Sequence, residues 1–144
     1  MTISSRAARL GLGLCLAALS LAGTSAFAQK TTLQVYTALE TDAMKLYKDA
    51  FEKANPDIDV RWVRDSTGIV TAKLLAEKAN PQADVVAGLA ASSLALLKQE
   101  GMLMAYEPKG FKELNRAYSD AANPPSWVGM DVWAATICFN RVEA

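Results

Sequence analysis

Thr32-Leu-Gln-Val-Tyr-Thr37, then Thr41-Asp-Ala-Met-Lys-Leu-Tyr-Lys-Asp-Ala-Phe-Glu-Lys-Ala54, then Asn55-Pro-Asp-Ile-Asp-Val-Arg-Trp-Val63, is the stretch from which the fold is read. Leu33 and Val35 alternate with polar neighbours, the period of a strand. From Thr41 to Ala54 the apolar positions are Ala43, Met44, Leu46, Tyr47, Ala50, Phe51 and Ala54. That is the period of a helix lying on a core, with Lys45, Lys48 and Lys53 on its solvated face. Asn55-Pro56 ends the helix, because the residue before proline avoids helical angles. Ile58, Val60 and Trp62 then alternate with Asp59, Arg61 and Val63, which gives a second strand and places Trp62 in the core.

The same logic extends toward the carboxyl end. Asp65-Ser-Thr-Gly68 is turn and cap chemistry, and a second helix follows to Lys78, stopped by Asn80-Pro81. Ala83-Asp-Val-Val-Ala87 is a short third strand, entered through a structural Asp84. Gly88 turns the chain, and Ser92 or Ser93 caps a third helix that ends at Glu100, before Gly101. Residues 105–126 are less regular, with Pro108, Gly110 and Asn123-Pro124-Pro125. A long extended stretch is predicted from Trp127 to Asn140, with Gly129 as a bulge and Cys138 as a buried, inert thiol. Strand and helix alternate throughout, which favours an α/β fold with a mainly parallel sheet flanked by helices. Ligands on such sheets bind beyond the carboxyl ends of the strands. The loops Thr37 to Glu40, Arg64 to Gly68 and Gly88 to Ser93 occupy that edge, so a polar small-molecule site is expected there.

Toward the amino end, Arg6 and Arg9 precede an apolar run from Leu10 to Ala22, followed by Thr24-Ser-Ala-Phe-Ala28. This is the layout of a cleavable secretory signal peptide over residues 1–28. The apolar run is short for a membrane span. Leu14 before Cys15 argues against a lipoprotein, and the separation of Arg6 from Arg9 argues against a twin-arginine signal. The expected domains are therefore a signal peptide, 1–28, and one α/β unit, 29–144, outside the cytoplasm.

Composition removes several classes of function. The whole chain has 15 basic and 15 acidic residues, and losing Arg6 and Arg9 leaves the remainder slightly acidic. Nucleic acid, which asks for a basic face, is not expected. Cys138 is left without an internal disulfide partner. The chain has no histidine, so a Ser-His-Asp or Cys-His site cannot be assembled from it. Paired carboxylates such as Glu40 and Asp65 leave a secreted hydrolase open in principle, but no catalytic constellation is visible, and an enzyme is not expected. Neither a cofactor nor a metal site is expected.

The segments Val35-Tyr-Thr-Ala-Leu-Glu40, Asp65-Ser-Thr-Gly68, Lys73-Leu-Leu-Ala-Glu-Lys-Ala-Asn-Pro-Gln-Ala-Asp84, Gly88-Leu-Ala-Ala-Ser-Ser93 and Trp127-Val-Gly-Met-Asp-Val-Trp133, in this order and spacing, resemble periplasmic solute-binding proteins of ABC importers. The branch is the one shared by ferric-ion-binding and 2-aminoethylphosphonate-binding proteins, closer to the second, and the resemblance covers roughly residues 31–144. It implies a type II periplasmic-binding-protein fold, with two α/β lobes around a cleft. It implies further that this chain is the amino-terminal lobe up to a first hinge strand, Val132 to Asn140, with the second lobe missing and the sequence cut short at Ala144. The implied partners are a small-molecule ligand and an inner-membrane ABC permease, the protein itself being a periplasmic monomer. A sensor that reports to a membrane receptor is the related alternative.

The resemblance also frames the choice of ligand. Ferric-ion binders place a histidine in the loop after the first strand, where this chain has Glu40, and a glutamate near Leu89. Leucine offers Fe³⁺ no donor, although Glu40 alone is a ligand for a hard cation. 2-Aminoethylphosphonate asks for a carboxylate at one end and a nest of N–H and hydroxyl donors at the other. Glu40, Asp65 and Asp131 are available for the ammonium, and Trp133 or Tyr36 for a cation–π face. Thr37 lies in the same loop as Glu40. Ser66, Thr67 and Gly68 open one helix and Ser92 and Ser93 another, which suits an anion. Ser66, Thr67, Ser92 and Ser93 are equally read as helix caps, and Glu40 as a solvated first-turn carboxylate. Of the tryptophans, one of Trp127 and Trp133 packs under the hinge, and Trp133 is assigned to the cleft. Iron, a polyamine, or phosphate and its esters are the alternative cargoes.

Overall fold

The computed structural model describes residues 29–134 and 136–142. The leader read in residues 1–28, Cys15 included, lies outside the described residues. The elements are β1 (Thr31–Thr37), α1 (Thr41–Ala54), β2 (Ile58–Arg64), α2 (Thr67–Ala76), β3 (Val85–Ala87) and α3 (Ala91–Gln99), followed by 3-10 turns at Phe111–Glu113 and Arg116–Tyr118. The three strands form one sheet in the order β2-β1-β3. Both pairings are parallel, with Thr31 opposite Ile58 and Val35 opposite both Trp62 and Val85.

Alternation along the strands divides the side chains between two faces. Tyr36 and its neighbours across the ladder, Val63 and Val86, turn toward the main core. There Tyr36 packs with Val70 and Leu74 of α2, Leu89, and Leu97 of α3. Each such aliphatic side chain contributes about 1.5–3 kcal/mol by leaving water. Val35 and Val60, also buried, lie on the opposite face. Asp84 is structural as read: its carboxylate accepts the Gln34 N–H at 2.8 Å while its own N–H donates to the Gln34 carbonyl.

The helix boundaries follow local chemistry. α1 stops at Asn55, whose side chain and backbone N–H both donate to the Phe51 carbonyl. α2 stops at Ala76, two residues short of Lys78. The turns beyond it tighten, with Lys78 N–H donating to Leu75 and Asn80 N–H to Glu77, the i to i−3 pattern of a fraying last turn. α3 begins two or three residues earlier than expected, with Ala90 in the cap position, so neither Ser92 nor Ser93 is the cap.

Several expectations are corrected by the packing. The apolar stripe of α1 does not lie on a core: among the described residues no α1 side chain is buried, and Leu46, Tyr47 and Phe51 are exposed. A helical period records the capacity to bury a face, not the presence of something to bury it. Lys48 is not on a solvated face. Its ammonium bonds Glu52, Asp59 and the Val60 carbonyl, tying α1 to β2. Trp62 is only half-buried, although its indole N–H is enclosed with no partner among the described residues.

The extended stretch from Trp127 to Asn140 does not become a strand. An antiparallel bridge between Ser119 and Val128 is its only pairing among the described residues, and the hinge strand read over Val132 to Asn140 is not formed among them. A strand needs a neighbour to take its backbone hydrogen bonds, and here Val132, Ile137 and Phe139 are exposed. Cys138, expected to be buried in that strand, is exposed for the same reason.

Candidate functional site

The parallel register brings the carboxyl ends of the strands side by side: Thr37 is opposite Arg64 on one flank and Ala87 on the other. Each strand end leads through a short loop into the start of a helix. The loops enclose an open cleft of about 1160 Å³, floored by residues 38–40, 64–67 and 86–91. Its far wall is Ala117, Tyr118 and the segment Trp127 to Trp133.

Two devices shape the floor. Thr37 is fully buried, its hydroxyl accepts the Leu39 N–H at 3.0 Å, and its carbonyl accepts the Asp65 N–H. It therefore holds the first two loops together from beneath rather than lining the cleft. Gly88 has a φ of +65°, and a Cβ there would stand 2.5 Å from Leu39 Cγ. Only glycine accepts both that backbone conformation and that approach.

The charged groups meet at the mouth. Glu40 occupies the cap position of α1 without capping it. Its carboxylate instead accepts Arg64 Nη2–H at 2.9 Å, while Arg64 Nε–H donates to the Leu39 carbonyl at 2.8 Å. The Asp65 carboxylate accepts the Ser66 N–H at 2.7 Å. Asp131 lies on the far wall and makes no ion pair among the described residues.

All three helices that open at this edge do so without a side-chain cap. Ser66 precedes α2 and Ala90 precedes α3, and neither side chain accepts a hydrogen bond from its helix. The first N–H groups of a helix have no partner within it. At α3 the Ser93 N–H is taken up by the Ala90 carbonyl, which leaves those of Ala91 and Ser92.

The far wall is fixed from behind. Both Asp120 carboxylate oxygens contact the Lys98 ammonium, at 2.7 and 2.8 Å, and they also accept the Ala122 and Ser126 N–H groups. Lys98, and after it the Ser126 N–H, hold the Asp120 carboxyl down at about 2, against a smaller opposing effect of burial. Gly129 N–H donates to the Tyr118 carbonyl, which would lie 2.7 Å from a Cβ at that position, so the expected bulge is a close approach of two backbones.

Of the residues read from the sequence, Glu40, Asp65, Ser66, Thr67, Asp131 and Trp133 line the cleft, with Trp133 exposed at its rim. Trp127, assigned beneath the hinge, lines it too. Gly68 sits inside the first turn of α2, behind the lining residues. Ser92 and Ser93 are not among the lining residues, which at α3 are Ala90, Ala91 and Leu94. Tyr36 is a correction. It is 1% exposed, and its hydroxyl donates to Glu77 at 2.8 Å on the core side. Burial first, then the Glu77 carboxylate, raises its pKa. The cation over its ring is Lys73, at 5.5 Å, rather than a ligand. Strand alternation decides this, because Tyr36 points to the side of the sheet that α2 covers.

Arg64 was missed as a site residue, as was the Lys98–Asp120 anchor. Arg64 was legible: it is the last residue of a parallel strand, and that position faces the ligand edge. The anchor joins residues 22 apart through an irregular segment and has no sequence signal. Among the described residues no group of three or more His, Cys, Asp or Glu side chains is placed to hold a metal ion.

A family model described as bacterial extracellular solute-binding protein matches residues 37–139. A probable ABC transporter periplasmic-binding protein, y4fP, of Sinorhizobium fredii is 41% identical over 63 residues, which is 44% of this chain and 18% of that relative. Among solved structures, AfuA of Actinobacillus pleuropneumoniae, with fructose-6-phosphate bound, is 26% identical with a TM-score of 0.59, over 68% of this chain and 30% of its own. Iron-bound HitA of Pseudomonas aeruginosa is 21% identical with a TM-score of 0.58, over 63% and 29%, a likeness of fold alone. The chain thus spans under a fifth of the relative and about three tenths of each solved structure.

Proposed function

Because the chain belongs to the family of bacterial extracellular solute-binding proteins, we propose that it serves in the capture component of an ABC importer, taking a small solute in the cleft at the carboxyl edge of its sheet. It forms the first α/β lobe of that component, acts in the periplasm after loss of residues 1–28, and delivers its solute to a membrane permease. It works by binding rather than by turnover.

The solute is an aminophosphonate, with 2-aminoethylphosphonate as the leading candidate. The observation that carries this is the mixed charge at the cleft mouth, where the Arg64 guanidinium stands beside Glu40 and opposite Asp131. A zwitterion with a compact oxyanion and an ammonium matches both signs. The uncapped openings of α2 and α3 supply further N–H donors to the oxyanion, and Trp133 supplies an aromatic face at the rim. A phosphate ester is the second reading, because Arg64 and the helix openings serve any phosphoryl group, and AfuA was solved with a sugar phosphate. The acidic side chains weigh against it.

Titration of the full-length gene product with 2-aminoethylphosphonate, following tryptophan fluorescence, tests the assignment. Phosphate, fructose-6-phosphate and ferric citrate are the comparisons. A saturable response to the aminophosphonate, absent with the others, is the expected outcome. A response to fructose-6-phosphate or ferric citrate instead would keep capture and discard this cargo.

A further inference from the structure

The ion pair at the cleft mouth joins two neighbouring strand ends. Thr37 and Arg64 are opposite each other across β1 and β2, and Glu40 lies three residues beyond Thr37. The Arg64 guanidinium is held in plane by its bond to the Leu39 carbonyl, with Nη2 on Glu40. Among the described residues Nη1 has no protein acceptor, and Arg64 belongs to the cleft lining. The Glu40 side chain is the more open of the two, 84% exposed against 38% for Arg64. A pair so exposed contributes little to stability and separates at small cost. Neither residue is needed to start α1, since Glu40 does not cap it.

We propose that Arg64 is the residue that reads the oxyanion of the solute, and that binding exchanges the Arg64–Glu40 pair for two pairs with a zwitterion, oxyanion on Arg64 and ammonium on Glu40. The exchange rests on the cleft being the solute site proposed above. A bare dianion must part Arg64 from Glu40 and then lies against a carboxylate stripped of its cation, a like-charge contact that opposes binding. A zwitterion replaces both partners at once. Selectivity then comes from rejecting the wrong ligand as much as from holding the right one, and Asp65 and Asp131 at the same edge add to the rejection. The planar fork of arginine also presents paired donors to an oxyanion, which a lysine cannot reproduce.

Calorimetry on the full-length protein, with 2-aminoethylphosphonate and ethylphosphonate as probes, tests the exchange, with circular dichroism confirming that each variant is folded. Wild type is expected to prefer the aminophosphonate by about tenfold or more, the scale of one charged hydrogen bond. Glu40→Gln is expected to weaken the aminophosphonate by about tenfold and to strengthen ethylphosphonate, because Arg64 is released. Arg64→Lys is expected to weaken both by about tenfold while keeping the charge. Ethylphosphonate binding that is unchanged or weaker in Glu40→Gln, or an Arg64→Lys variant that binds both probes like wild type, overturns the exchange and leaves capture standing. A wild-type protein that binds neither phosphonate overturns the aminophosphonate reading and the exchange with it.

Discussion

Lys98 of α3 grips both carboxylate oxygens of Asp120, at 2.7 and 2.8 Å, and so joins the helix that floors the cleft to the segment that walls it. The same carboxylate gathers the Ala122 and Ser126 N–H groups, which makes it the knot of the loop leading to Trp127.

This knot has a pH signature. The Asp120 carboxyl is pushed down to about 2 in the fold, against about 3.9 for an unfolded aspartate. A depressed folded pKa contributes stability that is complete above about pH 4 and is lost as the pH falls toward about 2. Hydrogen exchange of the Gly129 amide, which donates to Tyr118, is expected to quicken across that window. Asp120→Asn is expected to exchange quickly at neutral pH and to lose the acid step. An unchanged pH profile in the variant would place the knot elsewhere.

Gly88→Ala is expected to destabilise the protein by about 1–3 kcal/mol, from the left-handed backbone and from overpacking against Leu39. Urea unfolding measures it. Leu39→Ala in the same background is expected to recover the packing share of the loss and leave the backbone share.

The tryptophans separate by position. Trp133 lies on the cleft rim, whereas Trp62 sits on β2 away from the lining. Trp133→Phe and Trp127→Phe are each expected to reduce the fluorescence change on adding solute, because both line the cleft, and Trp62→Phe to leave it intact. The reverse pattern would move the site off this edge.

Tyr36→Phe removes the hydroxyl that donates to Glu77 and leaves the ring in the core. Thermal unfolding is expected to fall by about 4 °C, the scale of one net hydrogen bond in a small domain. Solute affinity is expected to stay at the wild-type value, because Tyr36 is on the core side of the sheet.

Much of this architecture is legible in the sequence because it is local. The period from Ala43 to Ala54 and the Asn55-Pro56 stop give the span of α1, and the alternation at Ile58, Val60 and Trp62 gives β2. What such patterns cannot carry is the identity of the neighbour. Val132 to Asn140 has the composition of a strand and no partner among the described residues, so its pattern stays unexpressed and Cys138 is exposed. The site divides in the same way. Residues placed by the edge rule, such as Glu40 and Ser66, are where they were expected. Tyr36 was placed by residue type, and its face of the strand overrules that. Ser92 and Ser93 were placed by cap preference, yet the helix begins at alanines, whose lack of a capping side chain is what leaves the N–H groups open.

The position of β1 bears on the order of events before the fold exists. It is the central strand of the sheet and the first among the described residues, and each partner arrives only after an intervening helix has been made. Parallel ladders closed across such separations form slowly, because the entropy of closing the loop is lost before any ladder bond is gained. Under the export proposed above, the chain has to cross a membrane before its strands lock, and slow closure would keep it threadable for that interval.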